Sequence, residues 1–419
     1  MYRASAAGIL IIFCASFAIA ADVSAQIPIR IGPFPDGSGV NIHFTDPKPG
    51  EMEMLAAAGF KWVRMDFSWD GTEKQKGDYD FSAYDRLMHA LDAKQIRPIF
   101  ILDYSNRHYD GNVSPHTGEG RDAFAKWAAA AATHFRGRGV VWEMYNEPNI
   151  FFWQPKPNVD DYAKLALAVG KALREATPDE PYIGPACSTM DFKFLEACFK
   201  AGCLDYWCAV SVHPYRQKDP ESVVADYAKL RTLIKRYAPA GRQIPIVSGE
   251  WGYSSGWKKF DDDRQGKYLP RELLTNMASG VPISIWYDWH DDGTNPAEPE
   301  HHFGTVKYDF HQGRDPIYDA KPAYRAMKQM ADALKGCTFE KRVAVGEETD
   351  WVLAFRDAAG QRLAVWTTGA THDATIPGLR GTWRSIGSGE GQASDLKCDE
   401  KGLTIALGDS PRYIVEAVR

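Results

Sequence analysis

Two glutamates follow short apolar runs, and this arrangement is the part of the sequence that could carry chemistry. Glu147 lies in Asn146-Glu147-Pro148 after the run 140–144, and Glu250 lies in Gly249-Glu250 after the run 244–248. If both runs are parallel strands of a barrel, both carboxyl groups lie at its carboxyl-terminal face. One carboxyl group can then protonate a leaving oxygen while the other meets the charge that develops on a sugar carbon, as glycosidic bond cleavage requires. The alternative is that Asn-Glu-Pro is an ordinary turn after a strand.

Alternating strands and helices would hold these two glutamates in place. After a first strand region at 27–44, short apolar runs at 62–67, 97–103, 140–145, 181–185, 206–212, 244–248 and 283–287 alternate almost throughout with amphipathic helical segments. This order predicts an α/β fold, a (β/α)₈ TIM barrel. An open doubly wound sheet is the rival architecture, but neither GxGxxG nor GxxxxGK[ST] is present to mark a phosphate loop.

The sequence predicts three segments. Residues 1–25 are typical of a secretory signal peptide, with Arg3, an apolar stretch and small residues before the cleavage point. Residues 26–335 form the predicted barrel, and residues 336–419 contain short alternating runs typical of a small antiparallel β-sandwich. We therefore predict a secreted or periplasmic protein with no membrane span in its mature form.

Composition narrows the class of partner. The chain has 419 residues, a formal net charge of −6 and 44% hydrophobic residues, which is enough for a large core. A nucleic-acid partner would need clustered Lys and Arg, so this acidic balance argues against one. The chain carries 13 Trp and 19 Tyr, whose flat rings can stack on sugar rings, although most aromatic residues fill cores.

Six cysteines remain after the predicted signal, an even number in an oxidising compartment. Four are clustered in the sequence, at Cys187, Cys198, Cys203 and Cys208, and the other two are Cys337 and Cys398. We predict at least one disulfide, either within the first four or between the last two. The alternative is buried free thiols. No zinc-type CxxC pattern is present.

Several motifs together resemble those of clan A glycoside hydrolases, most closely family 39 and more loosely family 5. They are Trp62–Asp70, Tyr79-Asp80-Phe81, Phe100–Asn106, Asn146-Glu147-Pro148, Gly249-Glu250 and Lys321-Pro322-Ala323-Tyr324. The resemblance implies a retaining glycosidase with Glu147 as the acid/base and Glu250 as the nucleophile. It also implies that Asn146 binds the sugar 2-hydroxyl, that Tyr215 bonds the nucleophile, and that Trp286 lies under the sugar at the cleavage point.

Four further residues are candidates for substrate contact. Arg64 suits the task of orienting Glu250, although an ordinary ion pair with Asp66 or Asp103 is the alternative. His213 precedes Tyr215 closely and is either a site residue or a satisfied core histidine. Trp153 and Trp257 lie in predicted loops and could form the floor of extended sugar subsites, which favours cleavage within a polysaccharide.

Other assignments stay open at the level of sequence. Glu143 is a rival acid that would lie deeper in the barrel than Glu147. The loop containing His290, Asp291, Asp292, Glu298, Glu300, His301 and His302 either shapes a substrate groove or binds a metal; we favour the groove and predict no metal or cofactor. The favoured substrate is a polysaccharide or oligosaccharide, such as a bacterial exopolysaccharide. The alternatives are an exo-acting β-xylosidase or β-glycosidase, a barrel that binds sugar without cutting it, and a metal-dependent hydrolase.

Overall fold

The computed structural model describes residues 29–386 and 394–417, and the predicted signal peptide lies outside these ranges. Eight parallel strands close into a barrel, which confirms the predicted fold class. In chain order these are β1 (Ser38–Asn41), β2 (Trp62–Ser68), β3 (Arg97–Asp103), β4 (Val141–Met144), β5 (Tyr182–Ser188), β6 (Ala209–His213), β7 (Ile246–Trp251) and β8 (Ser284–Trp286). The first strand is shorter and later than the predicted region 27–44.

Helices surround the barrel and connect its strands. They are α1 (Glu51–Ala57), α2 (Trp69–Thr72), α3 (Ser82–Asp92), α4 (Gly118–His134), α5 (Val159–Ala176), α6 (Phe192–Lys200), α7 (Val224–Tyr237), α8 (Asp262–Ala278) and α9 (Pro322–Leu334). Several begin at a residue whose side chain accepts hydrogen bonds from the first backbone N–H groups, which have no partner within the helix. Asn158 does so for α5 and Asp261 for α8.

The inside of the barrel changes from apolar to polar along the strands. Its apolar part is filled by the buried cluster Trp62, Ile99, Val141, Ile183, Ala209, Val247, Ile283 and Ile285. Because alternate residues of a strand point to the same face, Trp62 is followed on that face by Arg64 and Asp66, and Val141 by Glu143. Polar groups therefore fill the barrel toward its carboxyl-terminal face, and the apolar cluster lies deeper in the barrel.

The C-terminal part consists of two antiparallel sheets, as predicted. A six-stranded sheet has the order β14 (Ser394–Lys397), β13 (Thr382–Ile386), β16 (Arg412–Glu416), β11 (Gly360–Thr367), β10 (Asp350–Asp357), β9 (Thr338–Arg342), and a second sheet pairs β12 (His372–Pro377) with β15 (Gly402–Leu407). Their facing sides enclose a core that includes Val352, Val365, Ile376 and Ile405.

The other face of the six-stranded sheet packs on the barrel. Trp351 and Trp366 stack with ring centroids 5.4 Å apart, and both belong to the barrel core. Glu221 accepts from Trp366 Nε1 at 2.6 Å and forms a bidentate pair with Arg271 of α8 at 2.7 and 2.8 Å. This buried contact joins the two parts. The predicted boundary at residue 335 falls just after α9 and stays a prediction.

The structure does not show the predicted disulfide: all six cysteines in the described ranges are free. Cys337 packs in the barrel core and its thiol contacts Asp357 Oδ2 at 3.4 Å, whereas Cys398 packs against the core between the two sheets. These two residues thus lie in different cores. Cys187, Cys198 and Cys203 are buried in the barrel core as small apolar side chains.

None of the described helices is both long enough and apolar enough to cross a bilayer.

Candidate active site

Glu147 and Glu250 meet at the carboxyl-terminal face of the barrel. Glu250 lies in β7, and Glu147 follows β4 with a left-handed backbone (φ 44°), its N–H bonded to Ala186 O of β5 at 2.9 Å. One oxygen of each carboxyl group and a ring nitrogen of His213 all lie within 4.8 Å of one another. A single sugar carbon and its leaving oxygen can therefore contact both carboxyl groups.

Arg64 organises the floor below the pair. Its Nε donates to Glu143 at 2.5 Å, Nη1 to Glu250 Oε2 at 2.6 Å, and Nη2 to Asn146 Oδ1 at 2.8 Å. Burial alone would lower the pKa of Arg64, but the charges of Glu143 and Glu250 raise it. The guanidinium therefore stays charged and holds Glu250 and Asn146 in fixed orientations.

Glu250 is held from both sides. Tyr215 donates from its hydroxyl to Glu250 Oε1 at 2.8 Å, opposite the bond from Arg64 to Oε2. Two donors on separate oxygens fix the orientation of this carboxylate. The Glu250 side chain lies at the barrel mouth and is 13% exposed, so a substrate can reach it.

Glu147 has a different environment from Glu250. Burial raises the pKa of Glu147 to about 7, against the opposing effects of a hydrogen bond with Ser188 and the charge of Arg64. His213 Nδ1 lies 2.9 Å from Glu147 Oε1, and burial lowers the pKa of His213 to about 4, so that the ring is neutral. A buried carboxyl group with a raised pKa suits the task of giving a proton to a leaving oxygen.

An open cavity of about 510 Å³ lies above the pair. Its lining includes the polar residues His43, Asp66 and Glu300 and two pairs of neighbouring rings, Phe151 with Phe152 and Trp257 with Phe303. The remaining lining residues include Asn41, Tyr104, Ile150, Ser188 and Tyr287. Rings beside hydrogen-bonding groups are what a sugar with apolar faces and polar edges needs.

The sequence model described as cellulase (glycosyl hydrolase family 5) matches residues 36–293, which is more than half of the chain. The chain belongs to this family. The prediction of a clan A glycoside hydrolase is therefore confirmed.

Other proteins are similar to this glycoside hydrolase. A β-xylosidase of Geobacillus stearothermophilus is 26% identical over 179 residues, which cover 37% of this chain and only 34% of the relative. A family 39 glycoside hydrolase of Bacteroides cellulosilyticus has a TM-score of 0.78 at 24% identity, covering 93% of this chain and 81% of the other. A family 39 β-xylosidase of Caulobacter crescentus has a TM-score of 0.64 at 19% identity, covering 93% and 98%. These two structures share the fold.

Most of the predicted site residues come together in this glycoside hydrolase. The cavity is lined by Arg64, Asn146, Glu147, Tyr215, Glu250 and Trp257, and His213 lies directly behind Glu147. Glu143 is fully buried and paired with Arg64, below the cavity. Asp103 is also fully buried, and burial together with the nearby Asp66 raises its pKa well above the usual range.

Two predicted substrate contacts, Trp286 and Trp153, do not line the cavity. Ile285 points into the barrel, so Trp286 points outward, where it is buried and packs near Tyr253 with centroids 6.2 Å apart. Tyr287 points inward and lines the cavity instead. Trp153 is 1% exposed and packs on Tyr145.

Other lining residues were missed as substrate contacts. Once Arg64 and Ile285 are known to point inward, strand alternation indicates Asp66, two residues after Arg64, and Tyr287, two residues after Ile285. Glu300 had no such signal, because a turn at Pro299–His302 carries it back over the cavity.

One part of the loop after β8 does approach a histidine. A nitrogen of His43 and one oxygen each of Asp288 and Asp292 lie within 4.8 Å of one another. Burial opposes a charge on His43, but the hydrogen bond and charge of Asp288 raise its pKa to about 9. His43 Nε2 lies 3.6 Å from Asp288 Oδ2. His43 and Asp288 thus form an ion pair, and Asp292 is a second acid beside it.

Proposed function

We propose that this glycoside hydrolase cuts O-glycosidic bonds in an oligosaccharide or polysaccharide by double displacement, with retention of anomeric configuration. The observation that carries the proposal is the short approach of Glu147 and Glu250, whose nearest oxygens lie within 4.8 Å. A pair of carboxyl groups about 5–5.5 Å apart is typical of retaining enzymes, whereas inverting enzymes leave about 6.5–9.5 Å for a water molecule.

In the first step, an oxygen of Glu250 attacks the anomeric carbon and the bond to the leaving oxygen breaks. Glu147 gives its proton to that oxygen. Its raised pKa of about 7 supports this role, because about half of the carboxyl groups are then still protonated in neutral solution. The product of this step is a glycosyl ester on Glu250, and the leaving sugar departs as an alcohol.

In the second step, Glu147, now a carboxylate, takes a proton from water while the water oxygen attacks the anomeric carbon. The ester bond to Glu250 breaks and the carboxylate is restored. Arg64 and Tyr215, which donate to separate oxygens of Glu250, stabilise that returning negative charge. Asn146 is oriented by Arg64 so that its amide N–H group can bind the sugar 2-hydroxyl.

The substrate class rests on the open cavity and its aromatic rim. Phe151 is 67% exposed beside Phe152, with centroids 4.4 Å apart, and could support sugars beyond the cleavage point. This favours cleavage within a longer glycan, such as a bacterial exopolysaccharide. Exo action on β-xylosides is the second candidate, and the names of two similar proteins, β-xylosidases of Geobacillus stearothermophilus and Caulobacter crescentus, favour it.

We also propose that the protein acts outside the cytoplasm. This rests on the signal-like pattern at residues 1–25, which lie outside the described ranges. Processing at the predicted point would be seen as a shorter mature chain by intact-mass measurement of protein from the native cell.

The first-formed anomer tests the mechanism. A panel of 4-nitrophenyl glycosides and polysaccharides would identify a hydrolysed substrate, and proton NMR during the first turnovers would follow the anomeric signals. We expect the product to keep the configuration of the substrate. Inversion by the unmodified protein would show that the two glutamates are misassigned. Hydrolysis that stops in chelator would favour a metal-dependent reaction.

A further inference from the structure

The backbone that carries Glu147 has a conformation that its neighbours must hold in place. Tyr145, Glu147 and Ala186 all have left-handed backbones, with φ of 64°, 44° and 53°. This conformation is disfavoured for a residue with a β-carbon, so it persists only where surrounding groups fix it. The direction of the Glu147 side chain therefore depends on the contacts between its loop and the end of β5.

The first of these contacts is a main-chain hydrogen bond. The strands β4 and β5 pair with each other only at residues 142–143 and 182–183. Further along β5 the register shifts, and Ala186 takes no part in the ladder with β6. Its carbonyl oxygen instead accepts from Glu147 N–H at 2.9 Å. A single main-chain bond thus joins Glu147 to β5.

Asn149 makes the second contact, two residues after Glu147. Its Oδ1 accepts from Ser188 N–H at 2.8 Å, and its Nδ2 donates to Ser188 O at 3.0 Å. The amide therefore pairs with the main chain of Ser188 as a neighbouring strand would. Asn149 does not line the cavity, so it can act on the reaction only through the residues that it holds.

Ser188 connects this contact to the reacting carboxyl group. It lines the cavity, and its side chain forms a hydrogen bond with Glu147. Because Asn149 bonds both polar main-chain groups of Ser188, it fixes the residue that carries this hydroxyl. The segment 147–149 is thus joined to the segment 186–188 at both of its ends.

We propose that Asn149 is a positioning residue for the acid/base: by pairing with the main chain of Ser188, it holds Glu147 in its left-handed conformation, with the carboxyl group toward the leaving oxygen. The inference rests on the proposed function, in which Glu147 protonates that oxygen. Without the Asn149 amide, the loop should relax. The Glu147 carboxyl group should then lie farther from the leaving oxygen and in better contact with water.

Leaving groups of different acidity test the position of Glu147 in Asn149→Ala. A dinitrophenol departs without a proton, whereas an alkyl alcohol needs one from the acid. For a poor leaving group, kcat/KM should fall by about 10–10²-fold, the effect of a misplacement of about 1 Å. For the dinitrophenyl glycoside of the same sugar, it should stay within about twofold. Asn149→Asp keeps the acceptor for Ser188 N–H and should show a smaller loss.

Asn158→Ala is the matched control. Asn158 caps α5, and its Oδ1 accepts from Asp160 N–H and Asp161 N–H at 3.1 and 3.2 Å. This variant also loses an asparagine amide that holds the main chain, but at a helix start rather than beside Glu147. Like Asn149→Ala, it should unfold at a lower urea concentration than the unmodified protein. Its ratio of kcat/KM for good and poor leaving groups should be unchanged.

The titration of Glu147 gives a second measurement, which needs no turnover. In protein labelled with ¹³C at the glutamate carboxyl carbons, the Glu147 signal is the one that Glu147→Gln lacks. Burial raises the pKa of Glu147 to about 7 in the unmodified protein. In Asn149→Ala, contact with water should lower this pKa to about 6 or below, and the basic limb of kcat/KM should move with it.

Asn149→Ala alters no charged or titratable group near Glu147. These groups are Arg64, Cys187, His213, Tyr215, Glu250 and Glu300. A lower pKa in the variant therefore reports the position of Glu147 itself.

Equal losses for good and poor leaving groups in Asn149→Ala would overturn the inference. So would a pKa of Glu147 that stays at about 7 in the folded variant, or a change in the leaving-group ratio that Asn158→Ala reproduces. If the unmodified protein hydrolyses no glycoside, the proposed function fails, and the titration alone then decides whether Asn149 positions Glu147.

Discussion

The floor of the cavity and its rim are built in opposite ways. The floor consists of strand-borne groups that are buried and joined by hydrogen bonds, with Arg64 linking Glu143, Glu250 and Asn146. The rim consists of loop residues such as Phe151, which is 67% exposed, and Glu300, which lies on a short turn. Strand ends hold reacting groups in fixed positions, whereas loops can change with little effect on the fold. The chemistry should therefore depend on the floor, and the choice of glycan on the rim.

The largest effect is expected from the floor carboxylate. Glu250→Ala removes the proposed nucleophile and should lower kcat by about 10⁴–10⁶-fold, since no other group can form the covalent intermediate. Added azide should restore turnover and give a product of inverted configuration. The matched control is Glu298→Ala on the exposed loop, which should retain full activity. Failure of azide to rescue a folded variant would contradict the assignment.

The next largest effect concerns Glu147 and pH. Its carboxyl group must be protonated for the first step, so kcat/KM should fall as the pH rises through about 7, the value to which burial raises its pKa. Glu147→Gln should remove this basic limb and lower the rate by about 10²–10⁴-fold for poor leaving groups. Release of 4-nitrophenol in the first turnover should be spared. A basic limb that persists in the variant would point to another acid.

Substitution of Arg64 should lower both the stability of the fold and the rate of catalysis, and a control variant can distinguish the two effects. Arg64→Met leaves Glu143 buried without its partner, so the free energy of unfolding should fall by about 3–5 kcal/mol. The rate should also fall by about 10²–10³-fold, because Glu250 and Asn146 lose their orienting donor. Arg271→Met is the control: it breaks the buried pair with Glu221 between barrel and sheet. It should cost similar stability, measured by urea unfolding, with kcat unchanged. Loss of catalysis in both variants would mean that the effect of Arg64 is structural.

The sequence was sufficient to predict those features that the positions of the strands determine, namely the fold and the place of the two glutamates. The apolar runs predicted the barrel, and Asn146-Glu147-Pro148 and Gly249-Glu250 placed the two acids at the same face because parallel strands end there. Sequence reasoning did not anticipate that Trp286 points away from the cavity, since the side of the strand on which a residue lies is not known until one inward residue, here Ile285, is known. The position of Glu300 in the cavity lining could not be predicted from the sequence, because the path of a long loop depends on tertiary contacts that leave no periodic pattern in the sequence.

The predicted pairing of Cys337 with Cys398 is not found for a related reason. An even number of cysteines indicates how many pairs are possible but not which residues are neighbours. The six-stranded sheet separates Cys337 from Cys398, with one on its barrel side and one on its outer side. Cysteine count and predicted export carry no information about the faces of that sheet.

The smallest effect is expected at the rim. Phe151→Ala removes an exposed ring that could stack on a sugar beyond the cleavage point, an interaction of about 0.5–1.5 kcal/mol. KM for oligosaccharides should rise by about 2–10-fold with kcat unchanged, because the ring lies away from the reacting carbon. Tyr308→Ala is the control, since Tyr308 is 47% exposed but does not line the cavity. Unfolding free energies of both variants should stay within about 0.5 kcal/mol of the unmodified protein. A fall in kcat for Phe151→Ala would mean that the rim takes part in the chemical step, and the division between floor and rim would not hold.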